Sequence, residues 1–240
     1  MKIGASSFVQ LTSILKDHNI IIRQLLSSTL EGHDDEIMVL LFLDISSANL
    51  DTNKLLEELN NTESLKVLEV IKPTVEGFIV DTVSSPIVAG KSRVIILRDL
   101  GYCGLLTEIR RLFGTGGEAL LYHVGFNMGL GFAKLHKDLA YKIGIKDPSK
   151  IYQQISCRLF QWAGFGRKEA VEISPNHATI NVYNSFECES CRDSVRPYSQ
   201  LVRGIIAGTL AELFNKGFNV VEDMCVAKGD PYCRFRATSK

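Results

Sequence analysis

Four of the six cysteines in this chain lie close together near its C-terminal end, and this cluster limits how that region can fold. Cys188 and Cys191 form a CxxC pair, whose spacing lets both thiolates reach one tetrahedral ion. Cys225 and Cys233 flank a turn-forming Gly-Asp-Pro sequence at residues 229–231, which can fold the chain back on itself. We therefore predict that the two pairs meet at one all-cysteine zinc site.

Two other interpretations of the cysteines compete with a metal site. Cys103 and Cys157 stand in helical apolar patterns, which is typical of cysteines that are simply buried. A CxxC pair can also be a redox pair, which requires a reactive thiolate. The acidic neighbours Glu187, Glu189 and Asp193 disfavour a thiolate by raising the thiol pKa, so the metal site is the preferred hypothesis.

The charge balance and the hydropathy exclude several classes of partner. Lys plus Arg and Asp plus Glu number 27 each, so no excess positive charge attracts a nucleic-acid backbone. We see neither an export signal nor a run of about 18 apolar residues that would cross a membrane. The expectation is a cytoplasmic protein with no membrane and no direct nucleic-acid partner. In that reducing compartment, clustered cysteines favour metal over disulfides.

The first part of the chain, residues 1–73, alternates helical and strand patterns. The predicted order is a helix near 8–15, strands near 20–26 and 37–43, a helix capped by Asp51, and a strand at 67–71. With a short leading strand this order gives a ferredoxin-like βαββαβ unit. The segment resembles an ACT domain, a regulatory module that often binds amino acids. That resemblance implies either a second ligand site or a domain used for packing and dimerisation.

The remaining chain divides into a connector, residues 74–101, and a second domain, residues 102–240. The connector is predicted to hold strands at 77–80 and 94–97. The second domain is predicted to hold helices over 104–143, broken at 114–117, from 147 onward and over 197–215, with strands at 168–173, 179–182, 220–221 and 233–236. The predicted fold class is therefore mixed α+β.

Residues 198–235 carry a motif in three separated blocks. Gly204 and Gly208 stand four residues apart on a predicted helix, Glu222-x-x-Cys225 follows, and Gly-Asp-Pro-x-Cys-x-Phe ends the motif. This pattern resembles the vinyl-4-reductase (4VR) domain, and the resemblance extends over residues 102–238. It implies an α/β fold like that of TRAPP-complex tethering subunits, which is usually dimeric.

The same resemblance implies a set of zinc ligands. Members of the family that sense aromatic compounds hold zinc with a cysteine before the long helix, followed by Glu, Cys and Cys. The last three positions correspond to Glu222, Cys225 and Cys233, whereas the first corresponds to Ser199, a poor zinc ligand. One thiolate of the CxxC pair replaces it, or both do and displace Glu222. A closed site with four protein ligands is structural rather than catalytic.

A ligand pocket is predicted from aromatic residues and a histidine of the second domain. His123 and Phe126 lie on its early helix, and Trp162 lies on a later one. They are candidates to line an apolar pocket, although an ordinary core is the alternative role for each. His136 and His177 are interpreted as surface residues.

These observations together predict a cytoplasmic, zinc-stabilised sensor of a small apolar or aromatic molecule. A homodimer is expected, and a separate regulatory partner would carry the signal, because no helix-turn-helix pattern is evident. Two alternatives stay open. One is a reductase-associated protein acting on a vinyl-bearing tetrapyrrole, which the family name suggests, and the other is a TRAPP-like dimeric scaffold. An enzymatic role is the less favoured of these.

Overall fold

The structure is a computed structural model, and its chain forms two compact units, residues 1–95 and 96–240. It describes residues 2–4, 7–30, 33–63, 65–67, 69–73, 75, 78–83, 86–89, 92–189 and 194–240. Each unit is described below by itself.

The N-terminal unit is a four-stranded antiparallel sheet with two helices. Its elements are β1 (Lys2–Gly4), α1 (Phe8–Asp17), β2 (Ile21–Leu30), β3 (His33–Asp44), α2 (Thr52–Asn61) and β4 (Leu65–Lys66). The strand order β2-β3-β1-β4 places the first strand between the third and the fourth. This is the ferredoxin-like βαββαβ arrangement that the sequence predicts. Assignment to the ACT family in particular stays a prediction.

The two helices of this unit follow from simple sequence rules. α1 buries Leu11 and Leu15, which are four residues apart and therefore share one helix face. α2 begins after Asp51, whose carboxylate accepts hydrogen bonds from the backbone N–H groups of Asn53 (2.8 Å) and Lys54 (3.0 Å). The N-cap at Asp51 is therefore confirmed.

The predicted connector strands are wrong in position. The structure places two short antiparallel strands at Val88–Ala89 (β5) and Ser92–Arg93 (β6). Residues 94–97 form no strand, and residue 77 lies outside the described residues. An apolar, β-branched run favours a strand only where a neighbouring strand and a core can receive it. Ile95 and Ile96 are exposed instead, and no described strand pairs with them.

The C-terminal unit packs helices against a second antiparallel sheet, so the mixed α+β class is confirmed. Its helices are α3 (Asp99–Lys142), α4 (Pro148–Lys150), a π-helical segment (Ile151–Ser156), α5 (Cys157–Trp162), α6 (Phe186–Glu189), α7 (Gln200–Phe214) and a 3₁₀ turn (Val226–Lys228). Its strands β7 (Arg167–Ile173), β8 (His177–Tyr183), β9 (Phe218–Met224) and β10 (Cys233–Ser239) pair in the order β7-β8-β10-β9. α3 is broken at Gly114 (φ 52°, ψ −127°), within the predicted glycine break.

Two helices of this unit cross in backbone contact, which explains the glycine spacing of the motif. A Cβ atom added to Gly204 of α7 would lie 2.1 Å from the carbonyl oxygen of Tyr122 on α3. A Cβ atom on Gly125 of α3 would lie 2.1 Å from the carbonyl oxygen of Leu201 on α7. No side chain fits at either position, so these glycines fix the start of α7 against α3.

The helices of the described residues are too short or too polar for a membrane span. None of them combines the length and the hydropathy needed to cross a bilayer.

Candidate metal centre

Four buried side chains of the C-terminal unit converge on one point. They are Cys188, Glu222, Cys225 and Cys233, and their potential ligand atoms all lie within 4.8 Å of one another. One cysteine of the CxxC pair therefore joins the two C-terminal cysteines and the carboxylate, which is one of the alternatives that the sequence leaves open. Cys191, the other cysteine of that pair, lies outside the described residues.

The sheet and its turn position three of these groups. Glu222 lies on β9, Cys225 follows the end of that strand, and Cys233 begins the antiparallel partner β10. The connecting turn contains Gly229 in the left-handed conformation (φ 95°), which favours glycine. Asp230 Oδ2 accepts a hydrogen bond from the backbone N–H of Cys225 at 2.8 Å and closes the turn. The Gly-Asp-Pro sequence therefore brings the two cysteines together.

The distances between the thiols fit a tetrahedral ion. Cys188 Sγ lies 3.6 Å from Cys225 Sγ and 3.5 Å from Cys233 Sγ. Zinc–sulfur bonds of about 2.3 Å give a tetrahedron edge of about 3.8 Å. A disulfide requires about 2.05 Å between the sulfur atoms. The separations match ligands around a shared metal better than a covalent bridge.

Ser199, the position where the family has its first cysteine, organises the group instead of supplying a thiolate. Its backbone N–H donates to Glu222 Oε2 (3.0 Å) and its hydroxyl donates to Glu222 Oε1 (2.7 Å). The same hydroxyl oxygen lies 3.0 Å from Cys188 Sγ. Cys188 thus reaches the side of the group that a cysteine at residue 199 would occupy, although it is eleven residues upstream in the sequence.

Comparison with protein families finds a match in this part of the chain. Residues 178–239 match the model of the vinyl-4-reductase (4VR) domain. The match confirms the predicted resemblance over these residues, which include β8, α6, α7, β9 and β10.

Two relatives are uncharacterized proteins of Methanocaldococcus jannaschii. One is 35% identical over 118 residues, which cover 48% of this chain and 48% of the relative. The other is 28% identical over 128 residues, which cover 53% of this chain and 68% of that relative. The chain thus spans about half the length of the first relative.

Among solved structures, the fold is shared with the phenol-responsive sensory domain of the transcription activator PoxR, determined with phenol. The TM-score is 0.56 at 22% identity, over 62% of this chain and 78% of that one. A trafficking protein particle complex subunit 3 from Naegleria fowleri, bound covalently to palmitic acid, gives a TM-score of 0.46 at 17% identity, over 59% of this chain and 92% of that one.

The electrostatics of the four converging groups favour a cation among them. Hydrogen bonds from Cys188 and Cys233 lower the pKa of Cys225. The hydrogen bond with Cys225 raises the pKa of Cys188 to about 12, because a second thiolate beside the first is disfavoured. Burial, together with the nearby Cys225, raises the pKa of Glu222 to about 8. A bound cation reverses these preferences and lets several ligands ionise.

A buried carboxylate next to Cys188 anchors this cysteine to the start of α7. Glu187 accepts hydrogen bonds from the backbone N–H groups of Leu201 (3.0 Å) and Val202 (2.8 Å), and it pairs with Arg110 of α3. It therefore acts as an N-terminal cap supplied from outside the helix. Sequence reasoning treats Glu187 only as an acidic neighbour of the CxxC pair. No local pattern marks a cap that is thirteen residues from the start of its helix.

The predicted pocket residues are not gathered in the core. Trp162 is 69% exposed, His123 is exposed, and Phe126 is half-buried against the core. A pocket lined by these three residues stays a prediction. The interpretation of His136 as a surface residue is wrong, because it is 6% exposed and its Nδ1 lies 2.8 Å from Ser156 Oγ. His177 is exposed, as predicted.

Proposed function

We propose that this chain is a small-molecule sensor whose sensory unit is held together by one zinc ion. The observation that carries the proposal is the buried group of Cys188, Glu222, Cys225 and Cys233, with ligand atoms within 4.8 Å of one another. Thiolates and a carboxylate in tetrahedral arrangement are a donor set that zinc prefers. A cation would also balance the charge of these buried groups, which is otherwise costly.

The ion would have a structural role. All four positions would be filled by protein groups, so no open position remains for water or substrate. The ligands belong to α6, to β9 and its end, and to the start of β10, so the ion would tie the helix side of the unit to its sheet. Its binding energy would then contribute to folding.

The identity of the fourth ligand can be tested by two substitutions. If Glu222 is the ligand, Glu222→Gln weakens metal retention while Cys191→Ser leaves it unchanged. The reverse pattern would support the all-cysteine site. Metal content of the purified variants is measured by native mass spectrometry.

Sensing of a small aromatic molecule is supported by the fold that this unit shares with a phenol-responsive domain. A fold alone does not assign function, so the ligand is part of the proposal. In the proposed mechanism the ligand shifts the population between two forms of the unit, and a separate regulatory protein detects the difference. The reducing cytoplasm, where we place the protein, would keep the ligand thiols available for metal.

A homodimer is supported by an apolar face on α3. Leu120, Val124 and Leu135 are exposed, and their spacing of four and eleven residues puts them on one side of the helix. The same face favours a second candidate function, a dimeric TRAPP-like scaffold. Val124→Asp is expected to convert a dimer to a monomer, as measured by light scattering, because it places a charge at the centre of this face.

Ligand binding separates the sensor from the scaffold. Thermal unfolding of the zinc-loaded protein is followed with a panel of phenols, aromatic acids and neutral aromatic amides. A saturable rise in Tm with at least one compound supports the sensor. If the whole panel leaves Tm unchanged while the protein stays dimeric, sensing is refuted and the scaffold is favoured.

A further inference from the structure

A second group of buried polar side chains lies in the C-terminal unit, among residues that the metal centre does not use. They come from α3, the π-helical segment, α5 and β7, and each is at most 6% exposed; we name them the core polar cluster: His136, Tyr152, Ser156, Cys157 and Lys168. Buried polar groups of this kind need partners, and the partners found in this cluster are incomplete.

Lys168 is the only cation of the cluster, and it is turned into the core. It pairs with Val182 across the β7–β8 ladder, so its side chain shares the face on which Val182 is buried. It is 3% exposed, and its Nζ lies over the rings of Tyr152 (4.7 Å) and Phe160 (4.5 Å). Within the described part of the chain, no carboxylate lies within ion-pair distance of this nitrogen. A buried ammonium is therefore balanced only by aromatic faces.

Neighbouring titratable groups do not compensate this charge. Burial lowers the pKa of Lys168 to about 8, so the side chain is mainly protonated at neutral pH. Burial raises the pKa of Cys157, so its thiol stays neutral. Burial, and then the charge of Lys168, lowers the pKa of His136 to about 4, so the imidazole is neutral as well. The cluster carries one net positive charge.

Tyr152 provides a second and independent sign of an absent partner. Its side chain is fully buried, and its hydroxyl has no hydrogen-bond partner among the described residues. Tyr152 and Ser156 both belong to the π-helical segment, a rare backbone form that is frequent at functional sites. A phenol hydroxyl and an ammonium, each lacking a polar partner, thus occur at the same aromatic side chain.

We propose, building on the proposed sensor function, that the core polar cluster binds a small aromatic carboxylate. The carboxylate would accept hydrogen bonds from Lys168 Nζ and from the Tyr152 hydroxyl. The aromatic ring would pack among Phe160, Phe165 and Phe132, whose rings already contact one another in sequence at 5.2 Å and 6.1 Å between centroids. A single anionic group balances the single cation, and the apolar surroundings exclude larger polar ligands.

The charge of the ligand is what distinguishes this site from one for neutral aromatics. A neutral phenol or amide can satisfy the Tyr152 hydroxyl but leaves the Lys168 charge uncompensated. An ordered water would do the same. The structure therefore predicts discrimination between benzoate and benzamide, which have nearly the same shape and differ in charge.

The test is calorimetric titration of the zinc-loaded full chain with sodium benzoate, benzamide and phenol. Wild type is expected to bind benzoate at least about tenfold more tightly than benzamide, since loss of one partner of a buried charge pair is costly. Lys168→Met is expected to lose this preference, and Tyr152→Phe to weaken benzoate binding. Lys134→Met, at an exposed position on α3, is the matched control and keeps wild-type binding.

The outcomes separate this inference from the function on which it rests. Equal affinity for benzoate and benzamide, or unchanged benzoate binding in a folded Lys168→Met variant, overturns the charge-based site. If phenol binds and benzoate does not, the sensor proposal survives and the carboxylate site is refuted. If none of the three binds, the carboxylate site is refuted, and the sensor proposal falls with it when the wider panel also fails. Far-UV circular dichroism and zinc content establish that each variant is folded.

Discussion

Replacing Lys168 by methionine should make the ligand-free protein more stable, which is unusual for a core substitution. Burial lowers the pKa of Lys168 from 10.5 to about 8. A difference of about 2.5 units costs about 3 kcal/mol of folding free energy at pH 7. The two aromatic rings over the ammonium return roughly 1–2 kcal/mol of this. Methionine keeps the apolar contacts with similar volume, so the net gain should be roughly 1–2 kcal/mol.

The pH dependence of this gain follows from the direction of the shift. Between pH 8 and pH 10.5 the unfolded state binds more protons at Lys168 than the folded state does. Wild-type stability therefore rises with pH in that window, and the penalty is fully present below pH 8. The advantage of the variant should shrink by about 1 kcal/mol between pH 7 and pH 9.

Urea unfolding of zinc-loaded wild type and Lys168→Met at both pH values measures these differences. Lys134→Met, which removes an exposed lysine, should change the unfolding free energy by less than about 0.5 kcal/mol. A Lys168→Met variant that is less stable than wild type at pH 7 would refute the reasoning. It would mean that the ammonium has a compensating anion in the ligand-free protein.

Three further predictions concern the scaffold around the two sites. Gly204→Ala should destabilise the protein by on the order of 3 kcal/mol in urea unfolding, because its Cβ meets the Tyr122 carbonyl at 2.1 Å, whereas Gly131→Ala, with nothing within 4 Å, should stabilise by roughly 0.5–1 kcal/mol; equal effects would contradict the crossing. Glu187→Gln should cost roughly 3 kcal/mol in the same assay because it leaves Arg110 without its buried partner, and a neutral result would remove Glu187 as the anchor of α7. His136 should make wild type lose up to about 3 kcal/mol as pH falls from 6.5 to 4, because its pKa of about 4 means that the unfolded state binds the proton first; His136→Gln should flatten that part of the stability curve, and an identical curve would refute a buried neutral imidazole.

The metal group is accessible to sequence reasoning because much of its pattern is local. Glu222, Cys225 and Cys233 lie on two adjacent strands and the turn that joins them, so their spacing nearly determines their proximity. The participation of Cys188 depends instead on where α6 packs against the sheet. The sequence restricts that choice to two cysteines but does not decide it, because the packing involves contacts between distant segments.

The core polar cluster escapes sequence reasoning for the opposite reason. Lys168 stands between Arg167 and Glu169, so the strand looks solvent-exposed in sequence, and only the face opposite the charged neighbours is buried. His136 is followed by Lys137 and Asp138, so it resembles a surface residue for the same reason. Which face of a strand or helix points into the core is decided by tertiary packing when polar residues occur on both faces.

Native mass spectrometry of the untagged protein tests the central claim, a zinc-stabilised unit, most directly. The account predicts a mass excess of one zinc per chain that is lost in Cys225→Ser, whose sulfur lies within the buried group, and kept in Cys103→Ser, whose cysteine is remote from it in sequence. Wild-type protein that is folded, free of metal and reactive at all its thiols would contradict the account.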